Sequence, residues 1–207
     1  MEETLFTVGH STHPRDRFIA LLARHGITAL CDVRSKPYSR MNPQFNKDEF
    51  RLALKEAGIR YVFLGEELGA RTSDRTCYQE GRVQYDRLAR TESFHHGLGR
   101  VQEGMKKYRI ALMCAEKDPL ECHRTILVGR EFTRMGVVVQ HIHADGSLES
   151  QDEMMRRLIK GLGLAESDMF RSRDDVLEDA YRIQGERIAY VIHPSAASPN
   201  KAAVALG

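Results

Sequence analysis

Five short apolar runs, each separated from the next by an amphipathic stretch, constrain this chain more than any other feature. They read LFTVG (Leu5–Gly9), ITALCDV (Ile27–Val33), RYVFLG (Arg60–Gly65), RIALMC (Arg109–Cys114) and VVVQHIH (Val137–His143). Runs this short and this continuously apolar suit strands buried on both faces. Between them lie segments with helical spacing: Asp16–Gly26, Lys47–Gly58, roughly Tyr85–Lys107, Glu121–Gly136 and Ser150–Gly163. Several end in glycine, the usual C-terminal stop. Strand, helix and strand in alternation define βαβ units. The expectation is an α/β fold in three layers, a mostly parallel sheet of about five strands with helices on both faces.

The length, 207 residues, suits one such domain with an extension. Residues 1–163 carry the alternation. Residues 164–192 read as a C-terminal helical extension that packs on the domain or on a partner, a homodimer being one way to cover it. Residues 193–207 are small and Pro-containing, as in a flexible tail. The stretch Glu66–Arg82 is polar and without period.

A net charge of +2 gives no global basic field, so nucleic-acid binding would need a local patch. The opening MEETLFTVGHS is acidic and its apolar run is too short for a secretory leader, and no stretch reaches membrane-spanning length. The expected setting is therefore cytoplasmic, with no membrane partner. Four cysteines in such a chain are thiols rather than a disulfide framework.

Open parallel sheets bind ligands beyond the carboxyl ends of their strands. After the first run come His10 and Ser11. After the second come Asp32 and Arg34, two apart and so on one side of an extended chain, then Ser35, Ser39 and Arg40. After the third come Gly65, Glu66 and Arg71. After the fourth come Cys114, Glu116, Cys122, His123 and Arg124, and after the fifth His141, His143 and Asp145. One such residue alone means little; successive strand ends dense in acids, bases, thiols and cations imply a site on one rim.

The fourth junction, CAEKDPLECHR, has a local logic. Asp118, Pro119 and Glu121 stand as cap, first and third residues of a helix, which would place Cys122 in its first turns. Amides and dipole there would lower a thiol pKa and attract an anion. The same spacing argues against a metal at Cys114, Cys122 and His123. It is no zinc knuckle, and neighbours on a helix point apart. No cofactor motif is present.

Several segments together resemble the family known as domain of unknown function 488. They are VGHS (Val8–Ser11), DVRSKPYSR (Asp32–Arg40), PQF (Pro43–Phe45), LGEELGAR (Leu64–Arg71), LMCAEKDPLECHR (Leu112–Arg124) and the late AYRIQGERIAY (Ala180–Tyr190). The resemblance implies an α/β domain with these strand-end residues as its signature. It implies no reaction, substrate or cofactor.

Three readings follow from the residues. The leading one is an enzyme for an anionic, nucleotide-like or nucleic-acid substrate. Cys114 serves it as nucleophile or thiol ligand, His10 or His123 moves protons, and Asp32 or Glu116 orients a partner. Ser11, Arg34, Ser35, Ser39, Arg40, Gly65, Arg71 and Arg124 shape the anion site. The second is a non-catalytic nucleic-acid module, which would use Arg71, Arg75, Arg82, Arg87 and Arg90 interleaved with Tyr78 and Tyr85. The third is a thiol redox or sensing protein using Cys114 and Cys122.

Overall fold

The computed structural model describes residues 4–165 and 171–192. In the first half, β1 (Thr4–Gly9), α1 (Arg15–Arg24), β2 (Ala29–Asp32), α2 (Lys47–Glu56) and β3 (Arg60–Phe63) alternate. A small hairpin, β4 (Tyr78–Gln79) and β5 (Arg82–Val83), precedes α3 (Tyr85–Leu88) and α4 (Glu92–Met105). Then follow β6 (Ile110–Cys114), α5 (Arg130–Arg134), β7 (Val138–Ile142), β8 (Leu148–Ser150), α6 (Gln151–Gly161) and α7 (Arg173–Ile188). The main sheet has six strands in the order β3-β2-β6-β1-β7-β8, all parallel except β8.

The fold class is the one the alternation implies, an α/β sheet with helices on both faces and a helical C-terminal region. The sixth strand, β8, is three residues with no apolar run. It exists because the chain reverses at Gly146 (φ 87°) and lays Leu148 beside Ile142. The expected helix over Tyr85–Lys107 is two. Thr91 interrupts it and caps α4, accepting from the Phe94 N–H at 3.2 Å.

Strand parity sorts the core into two layers. Phe6, Val8, Leu30, Ala111 and Met113 face α1 and α2, where Phe18, Phe45 and Phe50 pack ring against ring. Leu5, Ala29, Cys31, Leu112 and Cys114 face the other way, onto residues of α4, α5, α6 and α7. Each fully buried aromatic or aliphatic side chain contributes about 1.5–3 kcal/mol. Parity therefore decides which layer Cys114 looks into before any contact is considered.

The chain leaving α7 is tied to the hairpin. The Val83 N–H donates to the Tyr190 carbonyl at 3.0 Å, the Ile192 N–H donates to that of Gly81 at 2.8 Å, and Arg82 donates to the Glu186 carbonyl. These bonds hold Tyr190 over the end of the sheet. The expected tail, 193–207, lies outside the described residues.

Candidate functional site: a cleft floored by a thiol–imidazole cluster

Insertion of β6 between β2 and β1 makes Cys114 the last residue of a central strand. Its neighbours are Asp32 and Arg34 on one side and Gly9 and His10 on the other. The Val33 N–H donates to the Met113 carbonyl at 3.1 Å and the His10 N–H to the Cys114 carbonyl at 2.9 Å, so three strand ends are locked together. Gly9 is required here, because a Cβ on it would stand 1.8 Å from the Glu116 carbonyl oxygen.

Asp32 and Arg34 share a side, as their spacing implies. Arg34 Nε donates to Asp32 Oδ1 at 2.9 Å and Nη2 to Oδ2 at 2.6 Å, a buried two-pronged pair. Tyr61 adds a hydroxyl to Oδ2 at 2.7 Å. Arg34 Nη2 also donates to the Phe45 carbonyl at 2.8 Å, and Nη1 reaches His10 Nε2 at 3.1 Å. Five guanidinium N–H groups minus these four bonds leaves one, on Nη1.

His10 has a fixed tautomer. Its Nδ1 lies 2.9 Å from the Ser11 carbonyl, an acceptor only, so Nδ1 carries the proton and Nε2 accepts from Arg34. The ring stacks on Phe45 at 4.3 Å. Burial, then the Arg34 charge, lowers its pKa to about 4. Its one lone pair is occupied, so it positions Arg34 rather than accepting a substrate proton.

The second group is the thiol cluster. Asp118 does cap, accepting from the Leu120 N–H at 3.0 Å, but it caps only the 3-10 turn Pro119–Glu121. The expected capping box is absent: Glu121 accepts from Gln184 Nε2 at 3.3 Å instead. Cys122 is extended (φ −138°, ψ 139°), and helical geometry resumes only at His123 (φ −60°, ψ −23°). Cys122 therefore does not lie in a first helical turn, and the argument that neighbouring helical side chains diverge does not apply. His123 Nδ1 lies 3.8 Å from the sulfur of Cys114 and 3.8 Å from that of Cys122. Its Nε2 lies 3.1 Å from the Val33 carbonyl, which can only accept, so Nε2 carries a proton and Nδ1 faces the sulfurs; burial lowers the ring's pKa, but the Cys122 charge and hydrogen bond outweigh burial and raise it.

The two thiols titrate as a pair. Burial alone would raise the Cys122 thiol, but hydrogen bonding from Cys114, the Arg124 charge and His123 bring it well below its ordinary value. That hydrogen bond, then burial, pushes Cys114 well above. The first proton thus leaves the pair more easily than from an ordinary cysteine, and the second far less easily. Glu116 is exposed at the cleft mouth, yet protein crowding its carboxyl group, then the Cys122 charge, raises its pKa.

A cleft of about 340 Å³ opens on this cluster. Cys114 and His123 reach its floor. Arg34, Ser35, Lys36, Arg71, Glu116 and Glu121 line it as well. Tyr38, Tyr85, Ile188 and Tyr190 give it apolar and aromatic surface. The Arg71 guanidinium lies over the Tyr190 ring at 4.6 Å, and the Arg71 backbone N–H donates to Ser35 Oγ at 2.9 Å. The cleft thus carries both cations and carboxylates.

Of the residues expected at the rim, Cys114, His123, Glu116, Arg34, Ser35 and Arg71 meet in this cleft; Asp32 and His10 stand behind Arg34. The others do not line it. Arg124 is wholly buried and donates from Nη1 to the Glu116 carbonyl at 2.9 Å, so it ties the loop after β6 instead of facing solvent. Gly65 lies under the loop, where a Cβ would stand 2.1 Å from the Arg34 carbonyl oxygen. Ser11, with φ 46°, opens onto a different hollow beside Lys117 and Asp145. Ser39 accepts from the backbone of Met41 and Asn42, both at 3.2 Å, and shapes its own turn. Arg40 is exposed on that turn. Lys36, Tyr38, Glu121, Ile188 and Tyr190 belong to the cleft although strand-end reasoning did not reach them; for Tyr190 the only signal was its place in the late segment.

An α/β protein with a ligand-sized cleft at the carboxyl ends of its parallel strands, floored by a thiol and an imidazole, is what fold and site together define. The chain belongs to the family described as Domain of unknown function DUF488, whose model matches residues 14–130. That span contains Asp32, Arg34, Arg71, Cys114 and His123. Comparison with curated proteins finds no match, and comparison with solved structures finds none. No helix among the described residues is long and apolar enough to cross a membrane.

Proposed function

We propose that this protein is an enzyme acting on an anionic, nucleotide-like or nucleic-acid substrate held in the Cys114 cleft. One observation carries the reading: a thiol, an imidazole and three cationic side chains line the same 340 Å³ space. Small-ligand sites run from about 300 to 1,000 Å³, so a mononucleotide-sized group is the right scale. The phosphate or carboxylate meets Lys36, Arg71 and the spare Arg34 N–H. Tyr38, 58% exposed, and Tyr190 offer faces for a base. The reacting end of the substrate then reaches Cys114 and His123, with Glu116 as a proton-holding group lining the same space. Arg34 contributes geometry more than net charge, because Asp32 neutralises it.

The loop-based binding module has less support. Arg82 donates to the Glu186 carbonyl, and Arg87 donates to the carbonyls of Thr76 and Tyr78 at 3.2 and 3.3 Å. Two of the loop's five arginines are thus engaged in holding the hairpin, although Arg71, Arg75, Arg87 and Arg90 remain exposed.

The test is alkylation of the reduced, metal-free protein with iodoacetamide, read by peptide mass. Inorganic phosphate or a nucleoside monophosphate should slow modification of Cys114, and Arg71→Met should abolish that protection. Modification of Cys114 at one rate with and without either anion would refute the assignment. Salt-dependent oligonucleotide binding that leaves Cys114 unprotected would favour the module instead.

A further inference from the structure

We infer that Cys114, Cys122 and His123 form a binding site for a soft divalent transition metal ion, zinc by the chemistry of the donors. All three donor atoms lie within 4.8 Å of one another, and His123 Nδ1 stands 3.8 Å from both sulfurs. Around tetrahedral zinc, with Zn–S about 2.3 Å and Zn–N about 2.0–2.1 Å, such donors stand about 3.6–3.8 Å apart. The two nitrogen–sulfur spacings thus already fit, and the sulfurs would close by up to about 1 Å on an ion.

Two further features suit ligands rather than inert thiols. The Nε2 proton of His123 is engaged by the Val33 carbonyl at 3.1 Å, which holds the ring with Nδ1 toward the sulfurs. Metal-bound imidazoles are oriented by this kind of contact. The backbone N–H of Arg124 donates to the Cys122 sulfur at 3.4 Å, which stabilises a thiolate there. Local geometry makes the convergence: one extended residue followed by a helical one turns two adjacent side chains, Cys122 and His123, to one side.

Charge also balances. Two thiolates and a neutral imidazole cancel a divalent cation in a buried place, and binding releases the thiol protons to solvent. Thiolate and imidazole donors select zinc over the hard ions calcium and magnesium. Three protein donors leave a fourth position. Cys114 and His123 line the cleft whereas Cys122 does not, so that position faces the space assigned to substrate. Such an ion would act as Lewis acid on a substrate oxygen or on bound water. Only this use of the ion rests on the cleft being a substrate site; its binding does not.

The experiment is titration of reduced, metal-free wild-type protein with cobalt(II) under anaerobic conditions, followed by zinc(II). The expected result is one cobalt per chain, thiolate-to-metal charge transfer, the intense visible bands of tetrahedral cobalt, and their loss when zinc displaces it. Cys114→Ser and Cys122→Ser should each weaken binding by more than the roughly 10–100-fold lost with a partner that merely orients a ligand. Arg71→Met should leave the spectrum intact while losing anion protection of Cys114. Wild-type protein that binds no cobalt, or binds it without thiolate charge transfer, overturns the inference whether or not the variants fold. Phosphate protection of Cys114 that persists in that case would leave the enzyme reading standing.

Discussion

Asp32 stabilises the site by compensating a cation that cannot leave. Arg34 is 6% exposed and its carboxylate partner 0%. Breaking such a pair from one side costs about 3–5 kcal/mol, because a buried charge is left uncompensated. Asp32→Asn should therefore lower the free energy of unfolding by that amount in urea titration, and adding Arg34→Met should restore part of it. His141 makes a second closed set: Thr7 donates its hydroxyl to Nδ1 at 2.7 Å, and Nε2 donates to Gln151 Oε1 at 2.8 Å. Burial, then Arg124, lowers its pKa to about 3, and that of His10 is lowered to about 4, chiefly by burial. Both histidines charge in the unfolded chain near 6.5 but stay neutral when folded. The unfolded state then binds more protons, so stability is full above that pH and falls as pH drops toward 4. Each proton contributes about 1.4 kcal/mol per pH unit. Urea midpoints measured against pH should show this slope, and His141→Gln should remove one proton's share of it.

At the scale of elements, the strands and helices of the parallel core were legible because their residues are decided by burial and period. Cys114 at the end of β6 and the Asp32–Arg34 pairing follow from that alone. Arg124 did not. A guanidinium beside a cluster of polar residues reads as an anion contact, and only the tertiary fold reveals that backbone carbonyls enclose it. The start of the helix after Pro119 was misread for a related reason. Cap and proline signals mark any helical turn, including the single 3-10 turn present here. The segment Arg124–Gly129 then winds as a π-helix before α5, a geometry with no period of its own to read in sequence. Nor could periodicity show that α7 shapes the cleft. Gln184 on α7 donates to the Leu120 carbonyl at 2.9 Å and so braces the turn that presents Cys122. Gln184→Leu should cost about 1–3 kcal/mol through that unsatisfied carbonyl. It should also raise the rate at which Cys122 is alkylated, measured by peptide mass.

The whole molecule is two hydrophobic layers sharing one sheet. Cys31 and Cys122 lie in the larger layer with Cys77, while Leu30 and Met113, from the same strands as Cys31 and Cys114, lie in the smaller. Neither layer can lose its strands without exposing the other. Cys31, Cys77 and Cys122 should therefore become reactive together, in one urea transition that coincides with loss of helical circular dichroism. Reaction of Cys77 well before Cys31 would show that the hairpin side opens as a separate unit.

Strand order has a consequence for how the protein comes into being. β1 and β2 are made first but are not neighbours; β6, which begins at Ile110, must enter between them. Until that residue has been synthesised, two strands keep unpaired edges facing a slot, a form prone to joining other chains. The strand that fills the slot is also the one that ends in Cys114. Filling the slot thus sets Cys114 in place first, and the cleft is completed only when His123, Ile188 and Tyr190 have followed.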